Sequence, residues 1–519
     1  MEKQYYHLSG SGYPSHRRHH RRRRRRSRFP LPLRITLILL ILLALVLMIG
    51  KLRRGKSADS LPSAHGEETL GEGNPQSSDG TPESSVPDET TPSQPSEEQL
   101  LSEAELKFAQ YDYDAAIALV NSNPELAAKE AGASLIRRCE EIKPTLVRQD
   151  ISQITHVFFH TLIIDTAKAF DNDSRQNGYN DVMTTKSEFE KMMLEMYNRG
   201  YVLVRIHDIA HEIDDPEQGG KKMVEGDILL PEGKKAFVLS QDDVNYYEYM
   251  DGDGFAKDIT IGADGKPTTE MVTEDGSVVT GSFDMVPILN DFLKEHPDFS
   301  YRGAKGIIAV TGYNGVFGYR TDPSYEGTNP NIEADRQKVR DVAQCLRDDG
   351  WELASHSWGH RNYGKISMEE LREDNEKWQE RVGSLIGGTD ILIYPFGADI
   401  ADWHPYKADN ERFQYLWGSG FRYFCNVDSS PYFVQMGKDF LRMGRRNLDG
   451  YRMWQDMTVK NRTADLFNAS DIFDSARPTP VPGYTGGRCS PGRPLFLCVL
   501  PQKKWKRCKI SLAALFFMP

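Results

Sequence analysis

Trp351-Glu-Leu-Ala-Ser-His356-Ser-Trp-Gly-His360 is the stretch on which the reading of this 519-residue chain turns. A short apolar run ends at Ala354 in the manner of a strand, and two histidines four residues apart follow at once. A helical turn there would put positions i and i+4 on one face, where both imidazoles reach a single ion about 2.0 to 2.1 Å from each ring nitrogen. Spacing alone is weak evidence, since thirteen histidines in 519 residues produce it by chance. The chain holds its own control in His207-Asp-Ile-Ala-His211, which reads as an amphipathic helix with surface histidines. What separates the two pairs must lie elsewhere in the sequence.

Outward from that stretch, residues 151–484 alternate strand-like runs with helical patterns. The strand-like runs are Thr155–Phe159, Tyr201–Ile206, Ala236–Leu239, Gly306–Thr311, Trp351–Ala354, Ile391–Tyr394 and Tyr423–Asn426. Between them the apolar spacing predicts helices over Ser187–Asn198, Met285–Lys294, Ile332–Asp348, Ser367–Ile386 and Glu411–Trp417. Strand, helix, strand at this spacing implies an α/β fold with a parallel sheet, closed as a barrel or open. In a barrel, reactive groups sit where strands end and loops begin. Asp251-Gly-Asp-Gly254, Ala263-Asp-Gly265 and Glu274-Asp-Gly276 interrupt the alternation. Asp-Gly turns between Thr/Val-rich runs read as hairpins, with a calcium loop as the alternative.

Ahead of this body, Glu97–Gln149 turns to Ala, Leu, Glu and Lys at helical spacing, broken at Pro124 and Pro144. The reading there is a short helical stalk over 97–150, including helices Tyr113–Val120 and Leu126–Ile142. Residues 51–96 are rich in Ser, Pro, Gly, Thr and acids, and cannot bury enough apolar surface to offset their chain entropy. A disordered linker is expected. Residues 31–50 are apolar apart from Arg34 and Thr36, and reach the roughly 20 residues that a bilayer helix needs. No Ala-x-Ala site follows, so the segment reads as a retained transmembrane signal anchor in contact with the lipid bilayer. Positive charge is denser before it than after it, which places a basic cytoplasmic tail at 1–30 and exports everything beyond about residue 55. The expected location is the cell membrane, single-pass. Residues 485–519 form an atypical basic tail expected to be disordered.

The net charge of -11 hides these regimes: fifteen Lys and Arg against one acid over 1–56, and seven against none over 488–519, around a strongly acidic body. The run Arg21–Arg26 alone could bind nucleic acid, but the apolar segment after it accounts for the charge, and an acidic body excludes a phosphate-binding surface. Six cysteines with no C-x-x-C exclude a zinc ribbon and a dense disulfide framework.

Two further strand ends carry reactive residues. Ala236-Phe-Val-Leu-Ser-Gln-Asp242-Asp243 runs into adjacent carboxylates, which repel unless a cation or separate roles relieve them. A surface turn is the plainer reading. Ile391-Leu-Ile-Tyr394-Pro395-Phe396-Gly397 opens into a tight loop that is either a simple turn or a presenter of backbone N–H groups to an anionic intermediate.

In that order the three resemble the signature of the polysaccharide deacetylases of carbohydrate esterase family 4, the NodB-homology group. The first motif reads Ser240-Gln241-Asp242-Asp243 where Thr-Phe-Asp-Asp is usual. The second, His-Ser/Thr-x-x-His, matches His356 to His360 in full. The third matches at Pro395, Phe396 and Gly397, but Ile393 stands where the family has an arginine. Val157-Phe-Phe-His160 and Thr184–Ile209 look like the opening segment of the subgroup that acts on poly-N-acetylglucosamine. The usual late histidine has no counterpart, since none follows His404.

The resemblance implies a distorted (β/α) barrel and a membrane-anchored, extracellular N-deacetylase of an amino-sugar polymer, peptidoglycan or poly-N-acetylglucosamine. It implies a divalent metal on Asp243, His356 and His360, zinc, with cobalt or nickel as alternatives, and no other cofactor. It makes Asp242 the general base, the Phe396 backbone N–H an oxyanion donor, and His160 the general acid. Arg445 and Arg446, in Met443-Gly-Arg-Arg-Asn-Leu, are the candidates to replace the missing arginine. Trp358, Tyr394, Trp403, Trp417 and Tyr423 are either sugar-stacking rings or core. The altered motifs keep two alternatives open: a catalytically inactive cell-wall carbohydrate-binding module, and an O-acetyl polysaccharide esterase.

Overall fold

Eight parallel strands follow one another in the chain: β1 (Thr155–Phe159), β2 (Tyr201–Leu203), β3 (Lys235–Gln241), β4 (Ile307–Val310), β5 (Glu352–Ser355), β6 (Ile391–Ile393), β7 (Tyr423–Val427) and β8 (Leu441–Asn447). Seven of them close into a ring in the order β1-β3-β4-β5-β6-β7-β8 and back to β1, each pairing parallel. Strand β2 joins outside the ring, on the first half of β3. Of the two arrangements that the alternation allowed, the closed α/β barrel is the one observed.

This computed structural model describes residues 95–484 except 218, 403 and 429. The basic tail, the apolar segment 31–50, the linker up to residue 94, Trp403 and the tail 485–519 lie outside the described residues. Among the described residues, no helix is long and apolar enough to cross a membrane.

Alternation along the strands assigns their faces. Val238, Ala309, Ala354, Ile391, Ile393, Cys425 and Met443 belong to one buried cluster, and Val157, Phe159, Leu239, Ile308, Val310 and Leu353 to another that takes in residues of the surrounding helices. Those helices start and stop for local reasons. The helix Lys186–Asn198 opens with a capping box between Thr185 and Glu188, and the helix Met368–Trp378 with one between Ser367 and Glu370. The helix Ile332–Asp348 buries Ile332, Val339, Val342, Ala343 and Leu346, a stripe at helical spacing. Between Asp258 and Gly281 three antiparallel strands form a meander, which settles the hairpin reading of the Asp264-Gly265 and Asp275-Gly276 turns.

Among the described residues, four helices, α1 (Glu97–Ala109), α2 (Tyr113–Asn121), α3 (Pro124–Ala128) and α4 (Glu130–Ile142), precede the barrel. The single helix expected over Leu126–Ile142 is broken at Lys129, whose backbone is extended. Ala104, Tyr113, Ala116, Val120 and Leu135 share one apolar cluster with Ile206, Ile209, Leu230 and Tyr301 beneath the barrel strands. The Tyr111 hydroxyl donates to Asp298 O at 2.8 Å, and Arg302 N to Gln110 O at 2.7 Å. At the other end of the described chain, Arg477 is fully buried against Glu188, with two contacts of 2.6 Å. Residues up to 477 are therefore tied to the barrel wall.

Candidate active site

Strand β3 ends at Gln241, so Asp242 and Asp243 emerge at the rim formed by the carboxyl ends of the strands. His356 follows the end of β5, and the Pro395–Gly397 turn follows β6 by one residue. Closure of the ring brings these strand ends to one rim, although more than a hundred residues separate Asp243 from His356 in the chain.

The backbone at this rim is unusual. Asp243, Ser357, His360 and Phe396 all have positive φ, at 58°, 58°, 49° and 62°. Such residues are strained by about 1–3 kcal/mol each and persist only where their surroundings hold them. The loop His356–His360 is irregular, so the helical turn that would place both imidazoles on one face is not formed. Asp374 on the helix Met368–Trp378 holds the loop instead, accepting the backbone N–H groups of Trp358 and Gly359 at 2.9 Å each and the Tyr363 hydroxyl at 3.0 Å. Gly397 is demanded by space as well as by its φ of 61°, since a Cβ there would lie 2.3 Å from the Val427 side chain.

One oxygen of Asp243 and one nitrogen each of His356 and His360 lie within 4.8 Å of one another. The closest approach of Asp243 to His360 is 3.7 Å, from Oδ2 to Nε2, too long for a hydrogen bond. His356 donates its Nδ1–H to Ile393 O at 2.8 Å, which leaves the Nε2 lone pair turned inward. Burial pushes the His360 imidazole down to about pKa 4 against the pull of Asp243, so its ring is neutral near pH 7. A carboxylate and two imidazoles, their donor atoms within 4.8 Å of one another, fit a divalent cation, and suit zinc, cobalt or nickel alike.

Asp242 is held differently. Arg445 on β8 grips it with two parallel bonds, Nη1 to Oδ1 at 2.7 Å and Nη2 to Oδ2 at 2.9 Å, and both side chains are buried. The guanidinium stacks over Phe158 at 4.2 Å. Burial alone would raise the Asp242 pKa, but Arg445 and His356 outweigh it and hold the carboxyl at about 2. Its Oδ2 lies 3.9 Å from His356 Nε2, facing the same space. Of the two arginines weighed for this role, only Arg445 reaches Asp242, because Arg446 points to the opposite face of β8 and pairs with Asp465 at 2.7 Å.

The rim opens into a cavity of about 220 Å³ whose lining includes Asp242, His356, His360, Phe396 and His160 together with Asp181, Asn447, Asp449, Tyr451 and Arg452. His160 donates its Nδ1–H to Val182 O at 3.0 Å. The Phe396 ring packs 4.5 Å from that of His360. Burial and the neighbouring Asp449 push the Asp181 carboxyl up to about 7. Asp242, Asp243, His356, His360, Phe396 and His160 are thus brought to one place.

Other sequence expectations end elsewhere. His207 and His211 are not on an amphipathic helix, since the helix Ile206–Ile209 gives way to a strand Ala210–Asp214. His207 sits between Glu352, which it touches through Nδ1, and Asp390, 3.1 Å from Nε2, while His211 is exposed. Among the aromatic residues, Tyr394 and Tyr423 are core. Trp358 is covered by Lys377 and Arg381, and Trp417 by Arg422. Strand β8, the clamp Asp374 and the carboxyls Asp181 and Asp449 went unread in the sequence. The one local signal for β8 was the alternation of Leu441 and Met443.

Residues 325–409, which include the His356–His360 loop and the Pro395–Gly397 turn, match the family model described as polysaccharide deacetylase. Among solved structures, the Streptococcus pyogenes deacetylase PplD in complex with acetate is similar over 62% of this chain and 100% of that one, with 11% identity and a TM-score of 0.33. No curated protein matches the chain.

Proposed function

We propose that this chain is a membrane-anchored, metal-dependent deacetylase that removes N-acetyl groups from an extracellular amino-sugar polymer. The observation that carries the reading is the pocket wall itself. Asp243, His356 and His360 offer three donor atoms within 4.8 Å of one another, next to the Asp242 carboxylate that Arg445 keeps ionised, and the family match spans two of the three loops that carry these residues and Phe396. A poly-N-acetylglucosamine or peptidoglycan substrate follows from the resemblance of the His160 segment and of the three motifs. Residues 31–50 would anchor the chain, with the body exported.

Asp243, His356 and His360 would hold the ion, which supplies Lewis acidity to the acetamido carbonyl and to an attacking water. Asp242 acts as general base. Arg445 keeps it unprotonated and fixes both its oxygens, so the proton it takes is received at a set position. The backbone N–H of Phe396, in a left-handed turn on the cavity wall, is the donor assigned to the oxyanion that develops. His160 is anchored through Nδ1–H to Val182 O, so it can protonate the departing amine from Nε2 only as the doubly protonated ring, which returns to the neutral Nδ1–H form. The products are acetate and a glucosamine unit.

The test is acetate release by the full chain from N-acetylglucosamine oligomers, with EDTA and with Zn²⁺, Co²⁺ or Ni²⁺ restored. Release that EDTA abolishes and metal restores is the expected result. Sugar binding without acetate under every metal would overturn it in favour of a carbohydrate-binding module. Release only from O-acetylated xylan would overturn it in favour of an esterase.

A further inference from the structure

Tyr247 lies four residues past Asp243 and is buried between Tyr249 and Tyr313, whose ring centroids are each 5.4 Å from its own at interplanar angles of 13° and 18°. Its hydroxyl is 2.6 Å from Asp243 Oδ1 and 2.9 Å from Thr311 Oγ1. An ionised carboxylate only accepts, so the tyrosine gives its one proton to Asp243, and the Thr311 hydroxyl donates to the tyrosine oxygen. Thr311 is itself fixed: its N–H donates to Asn245 Oδ1 at 2.9 Å, and its carbonyl accepts from Asn245 Nδ2 at 2.9 Å. The chain of bonds runs from the end of β4 to one oxygen of a carboxylate whose backbone is left-handed. The other oxygen, Oδ2, is the one that faces His360 Nε2 at 3.7 Å.

We infer that Tyr247, steadied by Thr311, is a positioning residue that occupies Asp243 Oδ1 and so commits this carboxylate to bind a divalent cation through Oδ2 alone. The inference rests on the metal-dependent reading above. Its consequence is chemical: a carboxylate that chelated through both oxygens would take up a coordination position that a catalytic site keeps open. Hydrogen bonds of this outer kind set the orientation of a ligand, and their loss typically weakens metal affinity by about 10–100-fold.

The experiment uses the full chain and its Tyr247→Phe variant, which keeps the stacked ring and removes only the hydroxyl. Zn²⁺ affinity is measured by competition with a chromogenic chelator, Co²⁺ coordination by visible absorption, and the melting of the metal-free protein as the control for folding. Because Y247F leaves the Thr311 hydroxyl unmatched in the interior, Y247F/T311V is measured beside it. The expected result is a Zn²⁺ dissociation constant raised by about 10–100-fold in both variants, with an altered Co²⁺ spectrum in both and unchanged melting of the metal-free Y247F/T311V chain. Wild-type affinity in either variant, or a weakening matched by loss of metal-free stability in both, overturns the inference alone. A wild-type chain that binds neither Zn²⁺ nor Co²⁺ overturns the metal-dependent reading and this inference with it.

Discussion

Strand β5 begins at Glu352 and ends at Ser355; His207, of one pair with four-residue spacing, meets its start, and the His356/His360 pair follows its end. At its start, Glu352 and Asp390 close on His207. At its finish, His356 and His360 face Asp242 and Asp243 across 3.9 and 3.7 Å. The first arrangement is an ion pair: burial disfavours the imidazolium, but Asp390 and Glu352 outweigh it and raise the His207 pKa to about 10. The second keeps its carboxylates beyond hydrogen-bond distance of the imidazoles, and burial holds the His360 ring neutral near pH 7. Identical spacing therefore yields a structural cation in one place and a candidate cation-binding site in the other. The distance to the nearest carboxylate decides which.

The sharpest way to break this comparison is to exchange its members for alanine. His356→Ala or His360→Ala is expected to lower acetate release by about a thousandfold, near 4 kcal/mol of transition-state stabilisation, while His207→Ala retains turnover where it remains folded. Folded H356A and H360A proteins that turn over like wild type would end the enzymatic reading of the rim. Arg445→Met comes next. It leaves Asp242 ionised and unmatched in the interior, and denaturant unfolding should show a loss of about 3 kcal/mol. A loss below about 1 kcal/mol would mean that another group neutralises Asp242. The smallest effect concerns His207→Gln. The folded pKa is raised from 6.5 to about 10, so the stability that the imidazolium contributes is fully present below pH 6.5 and is lost as pH rises through about 10. Its side chain is 39% exposed, and solvent screening limits the contribution to on the order of 1 kcal/mol. Unfolding of both proteins at pH 6 and pH 10 should show the gap at the lower pH and its disappearance at the higher; a gap that widens with pH would refute the ion-pair account.

Much of the barrel was readable from local pattern. Thr155–Phe159 and Ile332–Asp348 form their elements at the expected bounds, because continuous apolar runs and a helical stripe are local properties. Strand β8 was unreadable for the opposite reason. Leu-Arg-Met-Gly-Arg-Arg-Asn has the composition of a polar loop, yet six of its seven residues are buried. Its arginines enter the interior because each meets a carboxylate: Arg442 with Asp399 at 3.0 Å, Arg445 with Asp242, and Arg446 with Asp465. Burial of a charge depends on a partner, and those partners come from other segments of the chain. The His356–His360 loop shows the same limit, since its left-handed residues and the Asp374 clamp have no signature in local propensity.

By itself the sequence determined the alternation of strand and helix, the three strand ends that carry carboxylates, imidazoles and a Pro-Phe-Gly turn, and their order along the chain. Only the tertiary structure decided that the ring closes, that Arg445 rather than Arg446 faces Asp242, and that His207 is clasped by Glu352 and Asp390 while His356 and His360 stand 3.9 and 3.7 Å from Asp242 and Asp243. The division has a physical cause. Hydrophobic periodicity is written within a few turns of backbone, whereas protonation state, ligand geometry and the pairing of buried charges depend on distances of 3 to 4 Å between residues that only ring closure makes neighbours.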